Sequence, residues 1–265
     1  MYFNSIQRST VRPREIIFVD DGSTDDSIQC LRKYRGIKGL VIIEMDQNVG
    51  LANALNKAIE SSDGEYLMRL DPDDFISKDR IEKQYNFLIS HPEIDLVGSN
   101  VLYCTEKHKH SKLRSNIQET HNEIVKEYRR GNHGIFHTSV MGKAKVFNTI
   151  RYNQESYPVE DYDFFTRAIQ KGYLLANIPE KLTYYRVHSH NLSDKYFKAR
   201  IEKTLITRKI NLNIPATNFY LWLKLLQTFY YRGYLKNTGT IRGTVYLILA
   251  GLFNPRRMLK RIRLN

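Results

Sequence analysis

The chain has 265 residues, with 41 Lys/Arg against 28 Asp/Glu and two cysteines, Cys30 and Cys104. That length accommodates one α/β domain with an appendage, and two cysteines exclude a disulfide framework. The net charge of +13 suggests a nucleic-acid binder, but its distribution argues against one. Residues 195–265 hold fifteen Lys/Arg and one acid, Glu202, a net of +14. The other 194 residues carry 26 Lys/Arg and 27 acids, a net of −1. A near-neutral body of residues 1–194 is therefore followed by a basic tail, 195–265, whose partner is acidic. Residues 1–14 lack the apolar core of a signal peptide. The longest clean apolar run, Val245–Phe253, is too short to cross a bilayer.

In chain order, residues 4–12 read as the end of a helix broken by Pro13, and Glu15–Asp20 as a buried strand. Thr24–Tyr34 is expected to be helical, capped by Ser23 or Thr24, with Asp25 and Asp26 in its first turn. Leu40–Glu44 is the next strand, and 51–61 a helix with apolar spacing at Leu51, Ala54, Leu55, Ala58 and Ile59. A strand at Tyr66–Leu70, a helix at Ser77–Ser90 and a strand at Asp95–Val101 follow. This alternation predicts a parallel, helix-covered sheet. Residues 103–117 show no period and read as a loop. Further on come a helix at 119–130, a short strand at Thr138–Met141, a helix at Glu160–Lys171 and a strand at Leu182–Val187.

Two strands end in carboxylates. The first runs into Asp20-Asp21-Gly22-Ser23-Thr24-Asp25, and the second into Asp71-Pro72-Asp73-Asp74. In open α/β sheets such ends are where ligands bind. Asp71 and Asp73, separated by one proline, can converge on a hard divalent cation. The alternative for that loop is a solvated turn in which Asp74 or Ser77 caps the next helix. A third acidic pair, Glu160-Asp161, opens a helix. It is either a dipole-favoured helix start or, at Asp161, a general base. Tyr185-Arg186-Val187-His188 ends a strand with a cation and an imidazole, which favours a metal or phosphate role. His133 and His137 bracket a loop, as acceptor contacts or as structural histidines.

The ordered set V-D-D-G-S-T-D at 19–25, N-V-G-L-A-N-A-L-N at 48–56, L-D-P-D-D at 70–74, D-R-I-E-K-Q at 79–84, H-P-E-I-D-L-V-G at 91–98, V-E-D-Y-D at 159–163 and Y-R-V-H at 185–188 resembles family 2 glycosyltransferases. The resemblance covers about residues 4–193 and is strongest to the bacterial exopolysaccharide and lipopolysaccharide type, including the amylovoran transferases. It implies the GT-A fold, a mixed α/β sheet flanked by helices, and sugar transfer from a nucleoside-diphospho-sugar to a glycan acceptor. The implied nucleotide-side residues are Asp20, Asp21, Gly22, Ser23, Asn48, Gly50, Asp71 and His188, with Asp20 and Asp21 toward base and ribose. Asp71 and Asp73, with His188 nearby, would hold Mg²⁺ or Mn²⁺, and Asp161 would be the base of an inverting transfer. The family's opening strand, of the type V-S-V-I-I-P-T-Y-N, has no counterpart ahead of M-Y-F-N-S-I-Q, so unpaired backbone and an open apolar face are expected beside it. A second expectation is a chain without transfer activity that binds membrane or partners through its tail.

That tail is expected to form helices near 195–211, 217–232 and 243–253, followed by the basic run Pro255–Arg263. Basic helices carrying Trp222, Phe219, Tyr220, Phe229, Tyr230 and Tyr231 suit an anionic membrane surface, the alternative being a helical pair folded on the catalytic domain with a solvated basic face. A cytoplasmic enzyme, peripheral on the inner face of the membrane and meeting a lipid-linked acceptor, is the corresponding expectation.

Overall fold

The computed structural model of the protein describes residues 2–105, 110–114, 117–187, 196–236, 240, 245–246 and 248–250. The chain divides into two compact units, Met1–Lys195 and Tyr196–Asn265.

The first unit opens with α1 (Tyr2–Gln7), β1 (Ile16–Asp20), α2 (Ser27–Arg32), β2 (Leu40–Glu44) and α3 (Leu51–Glu60). It continues with β3 (Tyr66–Met68), β4 (Phe75–Ile76), α4 (Arg80–Ser90), β5 (Leu96–Thr105) and β6 (His110–Arg114). Then follow α5 (His121–Arg129), a 3-10 turn at His137–Ser139, β7 (Met141–Lys143), α6 (Ala144–Ile150), α7 (Glu160–Gln170) and β8 (Leu175–Val187).

Strands β1 and β2 form a parallel pair of their own, Ile16 opposite Leu40 through Asp20 opposite Glu44. The other six strands form one mixed sheet in the order β3-β7-β5-β8-β4, with β6 added on β5. Only β5 and β8 are parallel within it; the β3–β7, β5–β7, β5–β6 and β4–β8 pairs are antiparallel. The parallel sheet expected from strand–helix alternation is thus corrected, while the mixed sheet implied by the resemblance is found. The alternation rule assumes that every crossover carries a helix. Here β3 and β4 are joined by a six-residue acidic turn, and the two- and three-residue strands β4 and β7 are too short to leave a pattern.

Residues 103–117 are also corrected, in part: β5 runs on to Thr105, and His110–Arg114 pairs with it antiparallel. Their polar, basic sequence hid the strand, because it carries no apolar alternation. Helix α6 was not foreseen, and β8 starts seven residues earlier than expected.

Helix packing fixes where the acidic turns sit. Ile6 of α1, Ile76, Ile81 and Leu88, with Val97, Met141, Ile178 and Leu182, form one core between α1, α4 and the mixed sheet. Tyr66, Met68 and Ile16 pack against it, so α1 touches both sheets. Phe3 stacks between Phe18 and Tyr34, which ties β1 to the same helix. A second buried group, Tyr128, Tyr162, Phe164 and Phe165, lies around α7 and holds its acidic N-terminus in place.

In the second unit, α8 (Phe197–Leu212) and α9 (Asn218–Lys236) are joined by a turn in which Arg208 Nη2 donates to the Pro215 carbonyl at 3.0 Å. The Arg208 guanidinium lies 4.8 Å from the centre of the Tyr220 ring. Of the expected third helix only 245–246 and 248–250 are described, and the basic run 255–263 lies outside the described residues.

Candidate active site

The first acidic turn is knitted shut by its own backbone. Asp20, 6% exposed, accepts from the Ser23 amide at 2.9 Å and the Ser23 hydroxyl at 2.5 Å. Asp21 accepts from the amides of Val49 at 2.7 Å and Gly50 at 2.9 Å. It therefore serves as the anion at the N-terminus of α3, where orphan amides and the helix dipole favour negative charge. Asn48 Nδ2 returns a hydrogen bond to the Asp21 carbonyl at 3.1 Å. Gly22 sits at φ +69°, and a Cβ there would lie 2.6 Å from the Gln47 carbonyl carbon, so only glycine allows the two turns to touch. Gly50, at φ +89°, has Gln154 packed against it. Asp20, Asp21, Gly22, Ser23, Asn48 and Gly50 thus converge in one pair of interlocked loops.

The second acidic turn is built differently. One oxygen each from Asp71, Asp73 and Asp74 lies within 4.8 Å of the others. Asp74 is buried, and its Oδ1 accepts from the Arg186 amide at 2.8 Å, joining the turn to the end of β8. Its Oδ2 has no hydrogen-bond partner among the described residues. Burial chiefly raises the Asp74 carboxyl to about 7, against the Arg186 amide and the Thr138 hydroxyl and with Asp71 and Asp73 adding to it. The proposed helix cap is corrected: α4 begins at Arg80 with Asp79 at its N-cap position, and Asp74 faces the sheet instead. Three converging hard oxygens, one of them orphaned and buried, fit a divalent cation.

Two arginines lie beneath this turn. Arg69 Nη1 donates to Asp71 Oδ2 at 3.0 Å and Nη2 to Oδ1 at 2.5 Å, a two-pronged ion pair. Arg80, fully buried, donates from Nη2 to the Arg69 carbonyl at 2.9 Å and from Nε to Gln84 Oε1 at 2.8 Å. Gln84 donates in turn to the carbonyls of Val97 at 3.1 Å and Ser139 at 2.8 Å, so the strand end is bolted to β5 and the 3-10 turn. Burial lowers the Arg80 guanidinium to about 9 against the pull of Asp74. Thr138 completes the bracing by accepting from the Asp71 amide at 3.2 Å.

Asp161 lies in the first turn of α7. Its Oδ1 accepts from the Tyr162 amide at 2.8 Å, and its Oδ2 is 3.4 Å from His133 Nδ1. His137 Nε2 is 2.8 Å from the Tyr152 hydroxyl. Arg69 and the buried Tyr152 each lie within electrostatic reach of both Asp71 and Asp161, so the second and third acidic motifs share one neighbourhood. His188 lies outside the described residues.

Arg69, Arg80, Gln84 and Tyr152 were not singled out from the sequence. Arg69 did leave a signal, an arginine interrupting the apolar run Tyr66-Leu67-Met68 two residues before the acids. Arg80 and Gln84 stand in the D-R-I-E-K-Q stretch that carries part of the resemblance, but no role of their own could be read there.

Comparison with known proteins supplies the remaining step. The chain is 29% identical over 248 residues to the amylovoran biosynthesis glycosyltransferase AmsE of Erwinia amylovora, covering 92% of this chain and 84% of that protein. It is 29% identical over 215 residues to an uncharacterised glycosyltransferase of Methanocaldococcus jannaschii, covering 78% and 72%. Among solved structures, residues 1–349 of Staphylococcus aureus TarS in complex with UDP-GlcNAc superpose with a TM-score of 0.60 at 17% identity, over 97% of this chain and 78% of that one. The mannosyltransferase PcManGT of Pyrobaculum calidifontis, in complex with GDP-Man and Mn²⁺, gives 0.57 at 15% identity, over 98% and 73%. These two likenesses show the GT-A fold. The sequence profile of glycosyl transferase family 2 matches residues 2–174, and to that family of glycosyltransferases the chain belongs.

Proposed function

We propose that this glycosyltransferase moves a sugar from a nucleoside-diphospho-sugar to a hydroxyl of a lipid-linked glycan, with inversion, in cell-surface polysaccharide synthesis. What supports it is that Asp71, a member of the Asp71/Asp73/Asp74 cluster, and Asp161 both act electrostatically on the buried Arg69 and Tyr152. A diphosphate leaving group needs positive charge and an acceptor hydroxyl needs a base, and the two requirements are separated on these two motifs. AmsE, a biosynthetic transferase, and PcManGT, solved with GDP-Man and Mn²⁺, support the reading.

In this proposal the nucleoside lies against the interlocked loops of Asp20–Ser23 and Asn48–Gly50. Asp20 and Asp21 hold those loops with one lone pair per oxygen and offer the others to base and ribose. Asp71 and Asp73 would hold Mg²⁺ or Mn²⁺, with His188 on the diphosphate side. When bound, the cation supplies charge stabilisation to the leaving diphosphate. Asp161 takes the proton from the acceptor hydroxyl; that oxygen bonds to the anomeric carbon as the bond to the diphosphate breaks on the opposite face. His133, beside Asp161, fixes the carboxylate's direction.

The tail is the membrane contact in the same proposal. Its burial pattern is mixed. On α8, Leu205 is buried together with the polar Thr204, Thr207, Arg208 and Asn211, while Ile206 and Ile210 are exposed. On α9, Gln227 is buried, and Phe219, Trp222 and Phe229 are exposed. At about 100° per residue, Trp222 and Phe229 share one face of α9 and Gln227 points the opposite way. An outward apolar face on a segment of net charge +14 fits the interface of an anionic bilayer. Among the described residues no helix is long and apolar enough to cross it.

The test is calorimetry with UDP, GDP and dTDP, with and without Mn²⁺. Metal-dependent binding of one of them is expected, and binding of none overturns the donor site. Asp161→Asn should then lower transfer about a thousandfold with nucleotide binding intact; full transfer in that variant removes Asp161 as the base. Flotation with anionic vesicles should be lost on replacing Trp222 and Phe229 with serine. Retention in that double variant would place the membrane contact elsewhere.

A further inference from the structure

Arg69 meets the acid cluster with a full positive charge and two donors, and it does so from an enclosed position. Its side chain is 9% exposed, and both its terminal nitrogens are spent on the two oxygens of Asp71. Its backbone carbonyl is held by Arg80, itself fixed through Gln84 to two carbonyls of the sheet. The backbone at Arg69 is therefore fixed by that buried chain, and the enclosed guanidinium is held by its two bonds to Asp71. Burial alone would weaken its charge, but Asp71, Tyr152 and Asp161 outweigh that and hold it protonated.

This arrangement changes what the cluster binds. Three carboxylates with no counter-charge would take a bare dication, since affinity for hard cations rises with the number of charged ligands. With Arg69 clamped on Asp71, one carboxylate is neutralised in place and a bare dication meets a fixed guanidinium beside its ligands. A diphosphate reverses the balance. Its oxygens are attracted to a guanidinium, and a cation already carried by the diphosphate brings little net charge to repel.

We propose that Arg69 makes the acid cluster select a divalent cation carried by a diphosphate over the free cation. The selection rests on the donor-site reading above and assigns to Arg69 the order of loading: cation and nucleotide enter together. Arg69 acts through Asp71 and is a positioning residue.

The experiment is calorimetric titration of the full chain with Mn²⁺ alone, then with Mn²⁺ plus UDP, GDP or dTDP, for wild type, Arg69→Gln and Arg69→Lys. Wild type should bind free Mn²⁺ only near the millimolar range. Arg69→Gln should bind free Mn²⁺ about tenfold tighter and the Mn²⁺–nucleotide about tenfold weaker, opposite changes that loss of packing does not produce. Arg69→Lys keeps the charge and loses the fork, so its free-Mn²⁺ affinity should match wild type while nucleotide affinity falls by a smaller factor. Free-Mn²⁺ affinity unchanged or reduced in Arg69→Gln overturns the proposal. Should Arg69→Gln not fold by circular dichroism, the lysine variant decides: a tenfold gain for free Mn²⁺ there overturns it. Failure of every nucleotide to bind wild type would sink the donor-site reading, while the Mn²⁺-only arm would still report on Arg69. Absence of Mn²⁺ binding in all three proteins, with or without nucleotide, overturns both.

Discussion

The ends of β1 and β3 look alike as sequence, each an apolar run stopping in a group of aspartates, yet they do different physical work. At β1 each carboxylate has backbone or hydroxyl donors within 2.9 Å: Asp20 turns back on Ser23, and Asp21 crosses to the start of α3. At β3 the carboxylates face one another, and guanidinium groups lie behind them. One of the three keeps a buried oxygen with no partner among the described residues. The first end is a joint whose charges are satisfied within the chain. The second is held under charge, braced by Arg80, Gln84 and Thr138, a state that the cation of the proposed function would relieve. What distinguishes a structural acid from a ligand-seeking one is the supply of amide donors, which a strand-to-helix turn provides and a strand-to-strand turn does not.

Substitutions at the two ends should therefore separate function from stability. The largest effect is expected for Asp73→Asn, which should weaken Mn²⁺-assisted nucleotide binding about a hundredfold while shifting unfolding by less than about 0.5 kcal/mol. A comparable loss of stability would mean that the β3 end is a joint as well. Asp21→Ala should do the reverse. It strands the Val49 and Gly50 amides at the start of α3 and should cost about 2 kcal/mol in urea unfolding. Nucleotide binding by the folded fraction should fall by a smaller factor than for Asp73→Asn. A hundredfold loss of binding with unaltered unfolding would mean that the contact of Asp21 with the nucleoside outweighs its work in the joint.

Much of this was legible in the sequence, and the gaps have physical causes. Apolar periodicity placed β1, β2, α3 and the body of α4 to within a few residues, because these elements bury one continuous stripe or run. It missed β4, β6 and α6. The first is two residues long, the second is built from polar and basic residues, and the third follows β7 with no turn residue between them. In the site, carboxylates announced themselves because acids at strand ends are conspicuous. The cations beneath them did not, since a buried arginine has no local signature beyond standing where an apolar residue is expected. Arg69 is such a place, between Met68 and Leu70. Which acid is satisfied and which is orphaned depends on partners 28 to 112 residues away, such as Val49 for Asp21 and Arg186 for Asp74, and no local pattern carries that.

Asp74 gives the prediction that most sharpens the contrast, because it shows the charge held at β3 without any ligand. Its carboxyl is raised from 3.8 to about 7, chiefly by burial. With a chelator present, the folded protein takes up this proton as pH falls through about 7, whereas the unfolded chain waits until about 4. The group's contribution to stability is therefore fully present below about 4 and declines as pH rises to about 7, by at most about 1.4 kcal/mol per pH unit. Asp95 runs the other way. Its carboxyl is buried too, but the Leu174 amide with Lys145 and Lys143 holds it below its usual value, so its contribution is lost on acidification. Raw stability profiles mix the two, and the difference between wild type and Asp74→Asn isolates one. The variant should gain stability relative to wild type as pH rises from about 4 to 7 and hold that gain at pH 8. Parallel profiles would mean that Asp74 is ionised in the folded protein throughout, and that the β3 end is as well satisfied as the β1 end.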